Sequence, residues 1–322
     1  LNWHILPGVV QLDSTMQAYS PIGETFTNEK LAHLARDTWQ KVGEQSYSLP
    51  DMPESDLPTA FVILHAGVGR DIELTGTTLD KTPQDIPSIY LGSGQLGPLL
   101  DQPGFNGFPI GEGNTRVNNT MIIPRTLSRR GEDVTGEPFV LQLSINGLLT
   151  ASIGSHLGLP DLFNTETGDS GIGRFGLMDG AAFFSYSGLR APEPSAWEKM
   201  YLGWQDSFNI EPDASSPVEL PAVSMESGNP SNTIGKYSIK PGEYFLVENR
   251  HRDPEKDGAT LTFRTPGGEI ETRVFNNRDS TFTNQLQGFD TLFPAGVLTK
   301  VDNYDWSLPG GLDIGPDGKA GT

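Results

Sequence analysis

The sequence predicts an α+β protein in which a region of mixed helices and strands is followed by a β-rich, sandwich-like region. Stretches with helical periodicity end near residue 204, and from about Phe208 onward the pattern changes to short alternating segments separated by turn residues. The 38 glycines and 25 prolines predict many short elements joined by loops. We therefore predict two domains, 1–207 and 208–322.

The first strong helix prediction covers residues 28–42. Asn28 is suited to cap its start, and one face carries apolar residues at helical spacing. These residues are Leu31, Leu34, Ala35 and Trp39.

Two segments of the first region are typical of strands. Residues 60–66 (AFVILHA) form an apolar run that predicts a buried strand ending at Gly67, with His65 in a structural position near its end. Residues 121–123 predict a second, shorter strand.

Residues 144–162 (SINGLLTASIGSHLGLPDL) predict a helix with a defined end. Leu149, Ile153 and Leu157 recur at intervals of four, which predicts the buried face. Gly158 is suited to end the helix, and Pro160 prevents its continuation.

A further helix is predicted over residues 194–202, and the β-rich region follows. Its predicted strands are Tyr237–Ile239, Glu243–Glu248, Thr260–Phe263, Glu271–Phe275 and Gly296–Val301.

The composition excludes several kinds of protein. The 41 acidic residues exceed the 22 Lys and Arg and give a formal net charge of −19, which argues against a nucleic-acid partner because phosphates would be repelled. No stretch approaches the roughly 20 apolar residues of a membrane span. The absence of cysteine excludes disulfides, thiolate zinc sites and cysteine nucleophiles.

Four motifs in order resemble those of one enzyme family. They are GLPDLF at 158–163, FGLMD at 175–179, SAWEK at 195–199 and EYFLVENR at 243–250. Together they resemble secreted zinc metallopeptidases of the immune inhibitor A type, over roughly residues 60–305. The resemblance implies a metzincin-like catalytic domain and a secreted or cell-surface bacterial protein.

In this family a helix carries HExxHxxGxPD. Two histidines four residues apart point from one helix face toward a zinc ion, and the Glu between them acts as general base on the zinc-bound water. The resemblance places Ala151 and Ser155 at the histidine positions and Ser152 at the general-base position. Asp161 stands at the third-ligand position, and Met178 is the residue of the Met-turn, which does not bind metal.

Asp161 alone is too little for a zinc site, which uses at least three protein ligands. His156 cannot replace a histidine at 155, because one residue rotates the side chain about 100° around the helix. We therefore expect no zinc. The sequence predicts a catalytically inactive, metallopeptidase-like protein with a binding or structural role, whose partner is a protein, a peptide or another copy of the chain.

The chain also contains one calcium-like pattern. Residues 313–318 (DIGPDG) resemble the opening of a calcium loop, which makes Asp313 and Asp317 candidate ligands, although Gly315 replaces one expected oxygen donor. An ordinary acidic turn is the alternative.

Two other functions stay open at this point. One is an active secreted zinc metalloendopeptidase with unconventional ligands, for instance His65 or His156 with Asp161. The other is a structural subunit of an extracellular filament or surface layer.

Overall fold

The computed structural model divides the chain into two compact units, Leu1–Leu157 and Gly158–Thr322. The predicted boundary at 207/208 falls inside the second unit and stays a prediction. The structure describes residues 4–21, 27–45, 59–71, 78–81, 85–111, 115–141, 143–165, 167–172, 175–179, 188, 191–211, 217–223, 232–251, 255–264, 269–275 and 298–302.

The first unit mixes helices with short strands, as the sequence predicts. Its central sheet has the order β1-β5-β2, with β5 parallel to β1 and antiparallel to β2, and two antiparallel pairs, β3-β4 and β6-β7, accompany it. The elements are α1 (Met16–Tyr19), α2 (Glu29–Gly43), β1 (Val62–Val68), β2 (Ile89–Leu91), α3 (Ser93–Leu99), β3 (Phe108–Ile110), β4 (Thr115–Val117), β5 (Thr120–Thr126), β6 (Arg129–Glu132), β7 (Pro138–Leu141) and α4 (Asn146–His156).

Helix α2 packs its predicted apolar stripe into the core of this unit, and all four stripe residues are buried. The indole Nε1 of Trp39 donates a hydrogen bond to Thr120 Oγ1 at 3.2 Å, which ties the helix to β5. Asn28 immediately precedes the helix as predicted. Its side chain makes no capping hydrogen bond, however, and only its backbone carbonyl accepts one, from the N–H of Ala32 at 2.9 Å.

Strand β1 differs from the prediction of a fully buried strand. Ile63 and His65 are buried, whereas Leu64 between them is 65 % exposed. Successive side chains of a strand point to opposite faces, and only one face of β1 packs against the core. The prediction of a strand from the apolar run is therefore confirmed, but the prediction that the strand is buried on both faces is wrong.

The second unit is rich in strands, which confirms the change of pattern predicted after residue 208. Its two three-stranded sheets have the orders β10-β9-β8 and β12-β11-β13. Their packing as a sandwich stays a prediction. The elements are α5 (Ala196–Tyr201), β8 (Phe208–Asn209), β9 (Ile234–Lys240), β10 (Glu243–Glu248), β11 (Ala259–Arg264), β12 (Ile270–Phe275) and β13 (Leu298–Asp302).

Within the part of the chain that the structure describes, no helix has the length and apolar character needed to cross a membrane.

Candidate functional site

Helix α4 carries the three positions that the resemblance assigns to HExxH, and it packs against β2 and β5. Ala151 and Ser152 are buried, at 7 % and 8 % exposure, and Ser155 is half-buried. The Ser155 hydroxyl donates to the backbone carbonyl of Ala151 at 3.3 Å, so its polar group is satisfied within the helix. The three positions therefore present two hydroxyls and a methyl group, without an imidazole or a carboxylate.

The buried face of α4 is not the predicted one. Leu149, Ile153 and Leu157 are only half-buried. Small residues occupy most of the buried face, so the helix backbone can approach its neighbours closely. The larger apolar residues Leu149, Ile153 and Leu157 therefore lie at the edges of this face, where they are only partly buried. The buried residues are Gly147, Leu148, Ala151, Ser152 and Gly154.

The end of α4 is the predicted one. The helix ends at His156 with Leu157 as its C-cap, and Gly158 follows with a φ of +95°. This left-handed conformation favours glycine, so Gly158 is the residue that stops the helix.

His156, which the active-peptidase alternative invokes, is engaged by strand β2. Its Nδ1 lies 3.1 Å from the Tyr90 hydroxyl, and the two rings meet edge to face with centroids 5.5 Å apart. The ring is thus held by packing against Tyr90.

His65, the other histidine of that alternative, is buried in β1. Its Nδ1 accepts a hydrogen bond from the N–H of Gly67 at 3.3 Å. Burial lowers the pKa of His65 to about 4, and the nearby backbone carbonyl of Ile86 only partly offsets this effect. His65 is therefore neutral at physiological pH and occupies a structural position.

In the second unit, the chain after α4 is hydrogen-bonded directly to the turn that contains Met178. The N–H of Leu162 donates to the carbonyl of Met178 at 2.9 Å, and the carbonyl of Leu162 accepts from the N–H of Gly171 at 3.1 Å. Leu159, which precedes this point, is buried in one apolar cluster with Met178. The GLPDLF and FGLMD motifs thus form one packed structure.

Within FGLMD, the glycine and the aspartate have separate structural roles. A Cβ on Gly176 would lie 2.5 Å from the Ile172 side chain and 3.2 Å from a Glu198 carboxylate oxygen, so a side chain there would displace its neighbours. Asp179 is fully buried, and its Oδ2 accepts from the Ser170 hydroxyl at 2.6 Å and from the N–H of Ile172 at 3.2 Å.

Helix α5 brings the SAWEK motif to the same turn. Ser195 is its N-cap, and Ser195 and Glu198 form a reciprocal capping box. The other carboxylate oxygen of Glu198 accepts from the N–H of Met178 at 3.0 Å. Glu198 is fully buried, so both of its oxygens are committed to backbone donors.

The EYFLVENR motif supplies a second set of charged contacts. Glu248 Oε1 accepts from Arg250 Nε at 2.6 Å, and Glu248 Oε2 lies 3.5 Å from Lys199 Nζ. The guanidinium of Arg250 also donates to the backbone carbonyls of Phe175 at 2.7 Å and Pro194 at 3.0 Å. All four motifs of the resemblance are therefore represented in the second unit by residues in mutual contact.

Asp161, at the predicted third-ligand position, lies at the surface of the protein. Neighbouring protein atoms still displace part of the water around its carboxyl, and this partial desolvation raises its pKa above the usual value. Among the described residues, no group of three or more His, Asp or Glu side chains is arranged to hold a metal ion. Asp313 and Asp317 lie outside the described residues, so the calcium hypothesis stays a prediction.

Glu198, Glu248 and Arg250 lie within the SAWEK and EYFLVENR motifs, but their roles were not predicted from the sequence. The S-x-x-E spacing of Ser195 and Glu198 is a capping-box pattern and could have identified the first of them. The contacts of Arg250 reach residues more than 50 positions earlier, and no local pattern encodes such contacts.

No family model matches the chain, and neither a curated protein nor a solved structure matches it.

Proposed function

We propose that the chain is a catalytically inactive relative of secreted zinc metallopeptidases of the immune inhibitor A type. It has a metzincin-like domain and serves in binding or assembly outside the cell or at its surface. The observation that carries this proposal is the replacement of both histidines and the general base of HExxH by Ala151, Ser155 and Ser152 on α4.

The chemistry of zinc hydrolysis supports the inactive state. A catalytic zinc needs three protein ligands and a base that takes a proton from the bound water. Ala151 offers no donor atom, and Ser152 and Ser155 offer neutral hydroxyls that bind zinc poorly and cannot act as bases near neutral pH.

The packing around the remaining motifs supports descent from a peptidase. The hydrogen bond between Leu162 and Met178 and the carboxylate of Glu198 behind the turn keep GLPDLF, FGLMD and SAWEK together. A chain in which the metal-binding side chains have been replaced while the surrounding framework is retained fits a protein selected for its surface rather than for cleavage.

The environments of His156 and His65 disfavour the active alternative. His156 is held by the Tyr90 hydroxyl, and His65 is buried with its Nδ1 accepting from the backbone of Gly67. Either histidine would have to give up its present contacts to serve as a zinc ligand.

Zinc content and peptidase activity of the purified chain test this proposal. We expect substoichiometric zinc by plasma mass spectrometry after dialysis, and no casein cleavage that 1,10-phenanthroline inhibits. Stoichiometric zinc together with chelator-sensitive cleavage would overturn the proposal.

A restored variant tests the family assignment. The triple variant Ala151→His, Ser152→Glu, Ser155→His recreates HExxH. We expect it to bind zinc that the parent chain does not bind, at a cost in stability because Ala151 and Ser152 are buried. Adding Asp161→Asn should remove most of that gained affinity, because it replaces the third ligand. If the triple variant folds, as circular dichroism would show, and binds no zinc, the assignment of these positions is wrong.

A further inference from the structure

A large open cavity lies in the first unit, where the end of α2 meets the chain between α3 and β3 and strand β4. Its volume is about 1030 Å³, which is ample for a ligand larger than a single small metabolite. We call it the amide groove, after the side chains that form its polar lining: Gln40, Glu44, Gln102, Asn106 and Arg116.

The floor of the amide groove is held by close backbone approaches. A Cβ on Gly43 would lie 2.7 Å from the carbonyl oxygen of Pro109, so only glycine lets the end of α2 approach β3 this closely. Gly107 has a φ of +106°, and its carbonyl accepts a hydrogen bond from Arg116 Nη1 at 3.2 Å. The groove is therefore pre-formed rather than dependent on a ligand to shape it.

The wall between α3 and β3 is also ordered from within. The N–H of Gln102 donates to the carbonyl of Gly97 at 2.9 Å, and the N–H of Phe105 donates to the carbonyl of Gln102 at 3.2 Å. Phe105 packs edge to face on Phe108, with ring centroids 4.9 Å apart. This packing leaves Phe105 half-buried as an apolar surface beside the amides.

The three carboxamides of the groove retain their hydrogen-bonding capacity. Gln40, Gln102 and Asn106 are exposed, and no described residue makes a hydrogen bond to their side chains. Each carboxamide presents two N–H donors and a carbonyl acceptor in one plane. Such a group can pair with two neighbouring hydroxyls, since a hydroxyl both donates and accepts.

Among the described residues that line the groove, the charges are balanced: one acid, Glu44, and one base, Arg116. The chain as a whole, by contrast, has a formal net charge of −19. A strongly anionic ligand would meet one cation in a field of acidic residues, and a strongly cationic one would meet Arg116. A neutral ligand avoids both penalties.

We propose that the amide groove binds a neutral oligosaccharide. Planar carboxamide, carboxylate and guanidinium groups match pairs of sugar hydroxyls, and the Phe105 ring and Pro103 match the C–H faces of sugar rings. A peptide is a poorer match, because peptide binding needs pockets that bury apolar anchor side chains. Among the described lining residues, only Phe105 offers a half-buried aromatic surface, and Phe108 is only 5 % exposed. This site does not depend on whether the chain cleaves peptides.

Calorimetric titration of the full chain with neutral hexasaccharides tests the proposal, with cellohexaose, hexa-N-acetylchitohexaose, maltohexaose and mannohexaose as probes. We expect one of them to bind at one site. The double variant Gln40→Ala, Gln102→Ala should weaken that binding by about tenfold or more, because two planar hydrogen-bonding groups are lost. The exposed Gln11→Ala, outside the groove, is the matched control and should bind as the parent chain does.

Three outcomes would overturn the proposal. No hexasaccharide binds the parent chain at millimolar concentration; the double variant, folded by circular dichroism, binds as tightly as the parent; or a library of unstructured peptides binds in the groove while the sugars do not. Ligand-observed NMR of a Phe105→Ala variant gives a second readout, in which sugar C–H signals should lose their saturation transfer.

Discussion

The carboxylate of Glu198 accepts a hydrogen bond from the backbone N–H of Met178 at 3.0 Å, and both residues are almost completely buried. The same side chain closes the capping box at the start of α5 through Ser195. One acidic residue therefore caps a helix and holds the turn that contains Met178 against it.

We predict that Glu198→Ala lowers the free energy of unfolding by about 2 kcal/mol, because it leaves the buried N–H of Met178 and the partly buried N–H of Ser195 without acceptors. Urea unfolding followed by circular dichroism measures the change. Glu219→Ala replaces an exposed acid and should alter stability by less than about 0.5 kcal/mol. Equal effects of the two substitutions would show that Glu198 does not hold the turn.

We predict that Arg250→Lys destabilises the chain by about 1–3 kcal/mol although the positive charge is kept. An ammonium group cannot reach the Glu248 carboxylate and the backbone carbonyls of Phe175 and Pro194 at the same time, as the planar guanidinium does. Thermal unfolding should show a clear loss for this variant. Arg125→Lys changes an exposed arginine and is the matched control, for which we expect an unchanged melting temperature.

The elements predicted well from sequence are those whose packing follows a simple period. The stripe of α2 has a single buried face, and β10 was predicted with its observed bounds, Glu243–Glu248. Helix α3 was not predicted, because it contains two glycines and Pro98 in seven residues and its apolar content is too small to show a period. Its stability depends on contacts with α2 and β2, which the local sequence does not encode.

In the candidate site, too, one feature was predicted from the sequence and another was not. The end of α4 at Gly158 follows from local backbone geometry, and the sequence predicted it. The burial of Ala151 and Ser152 in place of Leu149 and Ile153 depends on which neighbour the helix approaches, and periodicity favoured the larger residues.

The unequal burial of Ser152 and Ser155, which the resemblance assigns to HExxH, leads to a further prediction. Ser152→Glu places a carboxylate at a position that is 8 % exposed, and we expect a loss of about 2 kcal/mol or more in the free energy of unfolding. Ser155→Glu changes a half-buried position one turn further along the same helix and should cost less. Denaturant titrations of both variants measure which substitution lowers the free energy of unfolding more. A tolerated Ser152→Glu would indicate an open cleft at this face of α4, contrary to the observed burial.

The pH dependence of stability should report the burial of His65. Its pKa of about 4 in the folded chain lies below the usual value of 6.5, so between these values the unfolded chain binds more protons than the folded one. The contribution of His65 to the free energy of unfolding is therefore complete above pH 6.5 and is lost progressively as the pH falls toward 4. A pKa shift from 6.5 to about 4 corresponds to a loss of about 3 kcal/mol in that free energy.

Comparison with His65→Gln separates this contribution from those of other groups. Burial raises the pKa of Asp71 and of Asp85, which favours the folded chain at low pH, and both effects are present in the parent and in the variant. We therefore expect the free energy of unfolding to fall more steeply between pH 6.5 and 4.5 in the parent than in His65→Gln. His4→Gln, which changes an exposed histidine, should retain the slope of the parent. NMR titration of the imidazole provides a readout that needs no substitution, and a midpoint near 6.5 would show that the ring of His65 is solvated rather than buried.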